Sequence, residues 1–231
     1  MLTSKCMVKE IREIDETLKL ITFEIYKYIP WEPGMFLQLS LDSYDPSQPW
    51  PESRAFSFAS WGNKQAKILV RRAGDFTTRL FNELKEGATF FIRYPFGDFI
   101  LSDSDDKVFI AAGAGISVFL SYIDYYVKKE LSKEILIFHS VRNTRELVGN
   151  YLDYQIPQSI KLFQFVTREK SMEYPNRRMT VDDILSKVDP KKRYQYYICG
   201  DDTFVEYFSN QLKNSGIEAV HTESWNNSMQ F

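Results

Sequence analysis

Lys107-Val108-Phe109-Ile110-Ala111-Ala112-Gly113-Ala114-Gly115-Ile116-Ser117-Val118 is the stretch that decides the fold of the second half of this chain. It opens as a continuous apolar strand, meets two glycines, and passes into helical sequence. Strands without polar alternation are those buried on both faces, as in parallel sheets. The whole apolar run, Val108 to Ile123, is glycine-broken and too short for a membrane span. A glycine turn directly after a strand and directly before a helix is the setting a dinucleotide phosphate loop requires. The fingerprint is incomplete here. Its third glycine is missing, and so is the acidic residue at the end of the next strand, because Glu134 precedes that strand.

Downstream of this stretch, strands and helices alternate. A helix is expected from Gly115 to about Lys129, then a strand at Glu134–Ser140 and a short helix near Tyr151. A strand at Ile160–Thr167, a helix at Thr180–Lys187, a strand at Tyr194–Cys199, a helix at Asp202–Asn214 and a short strand near Glu218–His221 follow. That alternation predicts a parallel sheet with helices on both faces. Upstream, the pattern changes period. Cys6–Ile14, Leu18–Tyr26, Met35–Leu41, Arg54–Ala59, Ala66–Arg72 and Thr89–Tyr94 are short β-branched or aromatic runs separated by turn residues. They predict a small antiparallel barrel. One helix interrupts them, with Phe76, Leu80, Phe81 and Leu84 at helical spacing. The polar run Ser102-Asp103-Ser104-Asp105-Asp106 breaks both patterns. It divides the chain into 1–101, an antiparallel Greek-key β-barrel, and 102–231, an α/β domain with a parallel sheet.

The 231 residues carry a net charge of −2, which gives no general basic field and speaks against nucleic acid as a partner. The two cysteines, Cys6 and Cys199, are far apart, which excludes a disulfide framework and any four-cysteine cluster. With only His139 and His221 as histidines, no metal site is expected. Met1-Leu2-Thr3-Ser4-Lys5 leads into strand-like sequence without a signal-peptide core, so the expectation is a cytoplasmic protein.

Several short motifs bear chemistry. Arg54-Ala55-Phe56-Ser57 places a cation, an aromatic ring and a hydroxyl on one β-prone segment. A guanidinium can fork onto a phosphate, a ring can lie on a flat heterocycle, and a hydroxyl can reach a ring nitrogen. The bland alternative is a half-buried strand with a surface arginine. Gly74-Asp75-Phe76-Thr77 sits where the lone helix starts, where free N–H groups would bind a diphosphate; alternatively, Thr77 is only a cap. Arg142, at the end of one strand, and Thr167-Arg168, at the end of the next, suit a 2′-phosphate, or are solvated surface charges. Cys199-Gly200 ends a strand of the parallel sheet, where ligands sit, or Cys199 is a buried structural thiol. Glu223-Ser224-Trp225 offers a carboxylate and a large ring, or is a frayed tail.

Taken in order, Arg54-Ala55-Phe56-Ser57, Gly74…Thr77, Tyr94-Pro95-Phe96-Gly97, Gly113…Ser117, Cys199-Gly200 and Glu223…Trp225 resemble the ferredoxin–NADP reductase family over essentially the whole chain. The resemblance implies an FAD-binding barrel, FAD being favoured over FMN, and an α/β domain that binds NAD(P)H, with NADP favoured over NAD. Arg54 would hold the flavin pyrophosphate, with Ala55 beside it. Phe56 would pack on the flavin and Ser57 would sit near N5. Val70, Arg71, Gly74, Phe76, Thr77 and Thr78 would complete the flavin site. Gly113, Ala114, Gly115 and Ile116 would approach the nicotinamide dinucleotide, and Arg142, Thr167 and Arg168 its 2′-phosphate. Cys199 and Gly200 would lie close to the nicotinamide, Glu223 would join the polar network at the reacting atoms, and Trp225 would cover the flavin. Ser57, Cys199 and Glu223 are thus the expected catalytic set.

The implied activity is hydride transfer between NAD(P)H and flavin, with electrons passed on to a separate acceptor such as ferredoxin, flavodoxin, an oxygenase or a small oxidant. The alternative is a non-catalytic flavin electron-transfer subunit or redox sensor with a decayed nicotinamide site. Three positions depart from the family pattern. Phe56 stands where tyrosine is usual, Tyr94 stands for a glycine, and Val118 stands where proline is common. Six residues also follow Trp225.

Overall fold

In the computed structural model, residues 1–101 and 103–224 are described. Among them, Met1–Leu101 and Ser117–Tyr126 form one compact unit, and 103–116 with 127–224 form another.

The first unit is built on six antiparallel strands: β1 (Leu2–Asp15), β2 (Leu18–Ile25), β3 (Phe36–Ser40), β4 (Arg54–Ser57), β5 (Gln65–Arg71) and β6 (Thr89–Phe96). Their order, β4-β3-β6-β1-β2-β5, is that of a Greek-key barrel. The two edge strands nearly close it through a bridge between Phe58 and Ile68. β6 shows the physical pattern most clearly. Phe90, Ile92 and Tyr94 alternate inward and are fully buried, because a strand sends successive side chains to opposite faces. The interior is aromatic: Phe23 meets Phe90 edge-on at 5.1 Å, and Trp31 stacks on Phe58 at 4.2 Å. Tyr94 fills this core rather than a surface cleft. Its hydroxyl accepts from Ile29 N and donates to Lys27 O, both at 2.9 Å. Helix α1 (Asp75–Glu83) buries Phe76, Leu80 and Phe81 against the barrel core. These lie at i, i+4 and i+5, one side of a 3.6-residue period.

The first unit also includes residues Ser117–Tyr126 of helix α2 (Ser117–Lys128). Ser60 O accepts from Trp31 Nε1 at 3.1 Å and from Ser121 Oγ at 3.0 Å. Trp61 N donates to Asp124 Oδ2 at 2.7 Å, and the Trp61 ring meets Tyr125 edge-on.

The second unit holds five parallel strands: β7 (Asp106–Ala112), β8 (Ile135–Val141), β9 (Ile160–Val166), β10 (Tyr194–Gly200) and β11 (Val220–Ser224). Their order is β11-β10-β7-β8-β9. The chain runs outward from β7 to β9, then returns to the other side of β7 with β10. β7 is therefore flanked by β8 and β10, and the sheet changes direction between β7 and β10. Two further helices belong here, α3 (Val181–Leu185) and α4 (Asp202–Asn214), the latter capped by Asp201, whose side chain accepts from Phe204 N at 2.9 Å.

Two local expectations are refined. The predicted helix from Gly115 begins as a 3-10 turn over Gly113–Ile116 and becomes α-helical only at Ser117. Gly113 takes φ +50, a left-handed conformation that lets the chain leave β7 sharply. The short helix near Tyr151 is a pair of 3-10 turns, Thr144–Glu146 and Val148–Tyr151, separated by extended Leu147.

Candidate functional site

In the barrel unit, β4 and the start of α1 come together. The Arg54 guanidinium lies 5.2 Å from the centre of the Phe76 ring, donates to Ser53 O at 2.8 Å, and pairs with Glu52 at 3.2 Å. Phe76 is a core residue, so its ring is a fixed platform for the cation. Beside it, Gly74 and Asp75 are exposed, and a side chain at Gly74 would meet open space. The first-turn N–H groups of a helix have no intrahelical acceptor and carry the positive end of its dipole. Thr77 Oγ1 accepts from Ala73 N at 2.9 Å and Gly74 N at 3.1 Å, and donates to Gly74 O at 3.0 Å. Its hydroxyl thus braces the loop that leads into α1. An arginine, an open glycine and a helix N-terminus at one place form a donor set that fits a diphosphate. Phe56 and Ser57 are half-buried further along β4, while Ala55 is exposed.

In the sheet unit, the carboxyl ends of β7 and β10 lie at the point where the strand order reverses, the place at which open α/β sheets bind ligands. The glycine turn after β7 is held tightly there. A Cβ on Gly115 would come within 2.6 Å of Cys199 O, so only glycine lets this turn lie on β10. A Cβ on Gly200 would meet the Phe204 ring at 2.7 Å, so glycine also lets α4 approach. Cys199 is buried, and burial followed by the nearby Glu223 charge pushes its thiol well above the ordinary range. Glu223 is its register partner on β11. The Glu223 Oε2 atom is buried without a hydrogen-bond partner among the described residues, and burial raises the carboxyl's pKa to about 7. A buried carboxyl oxygen left unsatisfied among the described residues, next to Cys199, fits a polar ligand group bound at this point.

At the ends of β8 and β9, backbone pairing continues beyond the strands. Thr167 N and Oγ1 both donate to Val141 O at 2.8 Å, and Arg168 N donates to Arg142 O at 2.9 Å. Arg142 and Arg168 are therefore adjacent and both exposed. Glu169 turns away to bind Thr144, whose N donates to it at 2.7 Å.

Residues 109–210 match the family model described as the oxidoreductase NAD-binding domain. A ferredoxin NADP+ reductase from Neisseria gonorrhoeae, solved with bound FAD and NADP, superposes with a TM-score of 0.78 at 18% identity, covering 96% of this chain and 98% of that one. The chain shares the two-domain fold of that reductase. Among curated relatives, the sequence likeness extends to the flavohemoprotein of Bacillus subtilis (strain 168), 25% identical over 190 residues, or 77% of this chain and 48% of that protein. It extends also to the anthranilate 1,2-dioxygenase electron transfer component of Acinetobacter baylyi (strain ATCC 33305 / BD413 / ADP1), 23% identical over 225 residues, or 94% of this chain and 64% of that component. The chain thus spans roughly half to two thirds of the length of these relatives.

The reductase-like frame clarifies where the expected residues fall. Arg54, Phe76, Gly74 and Thr77 are brought together, as are Gly113, Gly115, Cys199, Gly200 and Glu223, and as are Arg142, Thr167 and Arg168. The other expected residues differ in which groups they leave accessible. The Val70 and Ile116 side chains are fully buried in the packing, leaving only their backbones to offer. Arg71 turns to the β1–β2 connection, where its Nη1 donates to Thr17 Oγ1 at 2.8 Å and lies 3.8 Å from Asp15. Ala114 is half-buried in the turn, and Thr78 is exposed on α1 with its N–H bonded to Gly74 O at 2.8 Å. Trp225 lies outside the described residues. One neighbour of the site, His139, carried no role in the sequence reading. Its signal was there: an imidazole directly after the apolar run Ile135–Phe138, within the same strand. Among the described residues, no helix is long and apolar enough to cross a membrane.

Proposed function

We propose that this chain is an NAD(P)H-dependent flavin oxidoreductase that prefers NADPH, binds FAD, and passes electrons to a separate acceptor such as ferredoxin, flavodoxin or an oxygenase. The observation that carries the reading is the pair of closely packed glycines, Gly115 and Gly200, at the sheet's reversal point, with Glu223 beside Cys199 and its Oε2 without a hydrogen-bond partner among the described residues. The match to an oxidoreductase NAD-binding model over these same strands supports it. The names of the relatives, an electron transfer component of a dioxygenase and a flavohemoprotein, support electron delivery to a partner or attached module.

In this reading, Arg54 and the α1 N-terminus hold the FAD diphosphate, with Thr77 keeping the preceding loop in place. Phe56 packs on the flavin ring and the Ser57 hydroxyl lies near N5. Bound flavin supplies the redox chemistry, accepting two electrons as hydride and releasing them singly. The protein lowers the barrier by orientation and proximity. Cys199 remains a neutral thiol, because burial and the Glu223 charge both oppose ionisation. It therefore serves as a packing surface for the nicotinamide and not as a nucleophile. Glu223, with a pKa near 7, can hold or release a proton at neutral pH beside the reacting ring. Arg142 and Arg168 receive the 2′-phosphate, and this pair favours NADP over NAD.

An absorption spectrum of the purified protein, followed by anaerobic titration with NADPH and then NADH, tests the proposal. A yellow protein bleached by NADPH at lower concentration than by NADH is the expected result. A colourless protein that takes up no flavin overturns the reading. A flavin that neither nucleotide bleaches leaves an electron-transfer subunit instead of an enzyme.

A further inference from the structure

His139 is fully buried in β8, opposite Ala111 of β7 in the parallel register. Burying an imidazole is costly unless it makes hydrogen bonds. Its Nε2 lies 3.0 Å from Gly113 O. A carbonyl can only accept, so Nε2 carries the proton. Gly113 is the residue at which the chain leaves β7 with φ +50. The bond therefore pulls the first carbonyl of the turn toward β8. The Gly113–Ala114 peptide is trans, since among the described residues the cis bond is Tyr94-Pro95. In a trans peptide the N–H points opposite to the C=O, so the Ala114 N–H points away from β8.

The turn is thus gripped from both strands that flank β7. His139 holds Gly113 from β8, and the Cys199–Gly200 backbone of β10 lies close enough to Gly115 to leave no room for a Cβ there. We propose that His139 is a positioning residue for nicotinamide-nucleotide binding. By fixing the Gly113 carbonyl it withdraws an acceptor from an anionic ligand and presents the Ala114 N–H in its place. The inference rests on the nicotinamide reading of this turn.

Two variants of matched length separate hydrogen bonding from packing: His139→Gln keeps a donor at similar reach, and His139→Met does not. Two quantities are read on the flavin-loaded protein. One is the dissociation constant for NADP+, from its flavin difference spectrum. The other is amide hydrogen exchange over residues 113–117 in the absence of nucleotide. His139→Met is expected to weaken NADP+ binding about tenfold, the scale of one lost hydrogen bond, and to speed exchange of the turn. Flavin content and the spectrum after dithionite reduction should stay unchanged. His139→Gln should stay within about threefold of the parent on both measures. If Gln and Met behave alike, whether both match the parent or both weaken equally, the hydrogen bond has no positioning role and the inference fails. Should His139→Met not fold, His139→Asn, one methylene shorter than Gln, replaces it with the same two outcomes. A parent protein that binds no nicotinamide nucleotide would overturn the proposed function, while the exchange data would still decide whether His139 holds the turn.

Discussion

Glu223 stands across from Cys199 in the parallel register of β11 and β10, its Oε2 buried without a hydrogen-bond partner among the described residues. Burial disfavours the charged form of this carboxyl, as it does that of the neighbouring thiol. The carboxylate is thus the less comfortable form of Glu223, and its pKa rises to about 7.

This has a consequence for stability against pH. A carboxyl whose pKa is higher folded than unfolded binds more protons in the native state, so stability falls as pH rises. The loss begins near the ordinary value of 4.5, is complete a little above 7, and is absent below that window. Glu223→Gln should flatten the thermal midpoint between pH 5 and pH 7.5, an interval of about that width. An unchanged slope in the variant would show that Glu223 is not the titrating group.

Ser57 is placed by β4 beside Phe56, half-buried at the strand end. Ser57→Ala should leave flavin bound and slow flavin reduction by NADPH at least about tenfold, the scale of one lost positioned polar group. Stopped-flow reduction at parental speed would remove the role given to this hydroxyl.

Arg168 sits next to Arg142 through the backbone bond between them and has no ion-pair partner among the described residues. Arg168→Ala should weaken NADPH binding about tenfold or more, as expected for one charge-assisted phosphate contact, and hardly change NADH binding. Equal losses for the two nucleotides would argue against 2′-phosphate recognition.

At the opposite end of the sheet from the glycine turn, Glu134 accepts from Lys161 at 2.6 Å, Lys192 at 2.8 Å and the Tyr194 hydroxyl at 2.6 Å. These donors, Lys161 first, hold its carboxyl down to about 2. A depressed pKa gives the opposite sign to Glu223: the stabilisation is present above about 4.5 and is lost as pH falls toward 2. Both lysines are substantially exposed, which weakens their contribution. Glu134→Gln should cost about 1 kcal/mol at pH 7 in urea unfolding and much less near pH 2.5. A loss that is the same at both pH values would assign the effect to packing instead of charge.

The fold was readable because the two halves differ in period. Alternating short strands gave the barrel, and Lys107–Ala112 with its glycine turn gave the parallel sheet. β1 was read as starting at Cys6 but begins at Leu2, because polar Thr3, Ser4 and Lys5 owe their strand conformation to pairing with β6. That is tertiary pairing overriding local composition. The glycine turn and Cys199 were legible from position along the chain alone. The direction of a long side chain was not, since Arg71 follows Thr17 and Asp15 across a hairpin, away from α1. The reach of His139 to Gly113 spans two strands whose adjacency only the sheet order reveals.

The double acceptor at Ser60 O bears on how the polypeptide can be divided. A fragment ending at Leu101 would keep the Trp31 indole bond but lose the Ser121 hydroxyl, and Trp61 N would lose Asp124. The first half of α2 is encoded after the glycine turn, yet it completes the barrel-side unit. Swapping or excising the barrel-side unit therefore has to follow a seam that crosses the described sequence three times, taking 117–126 along with 1–101.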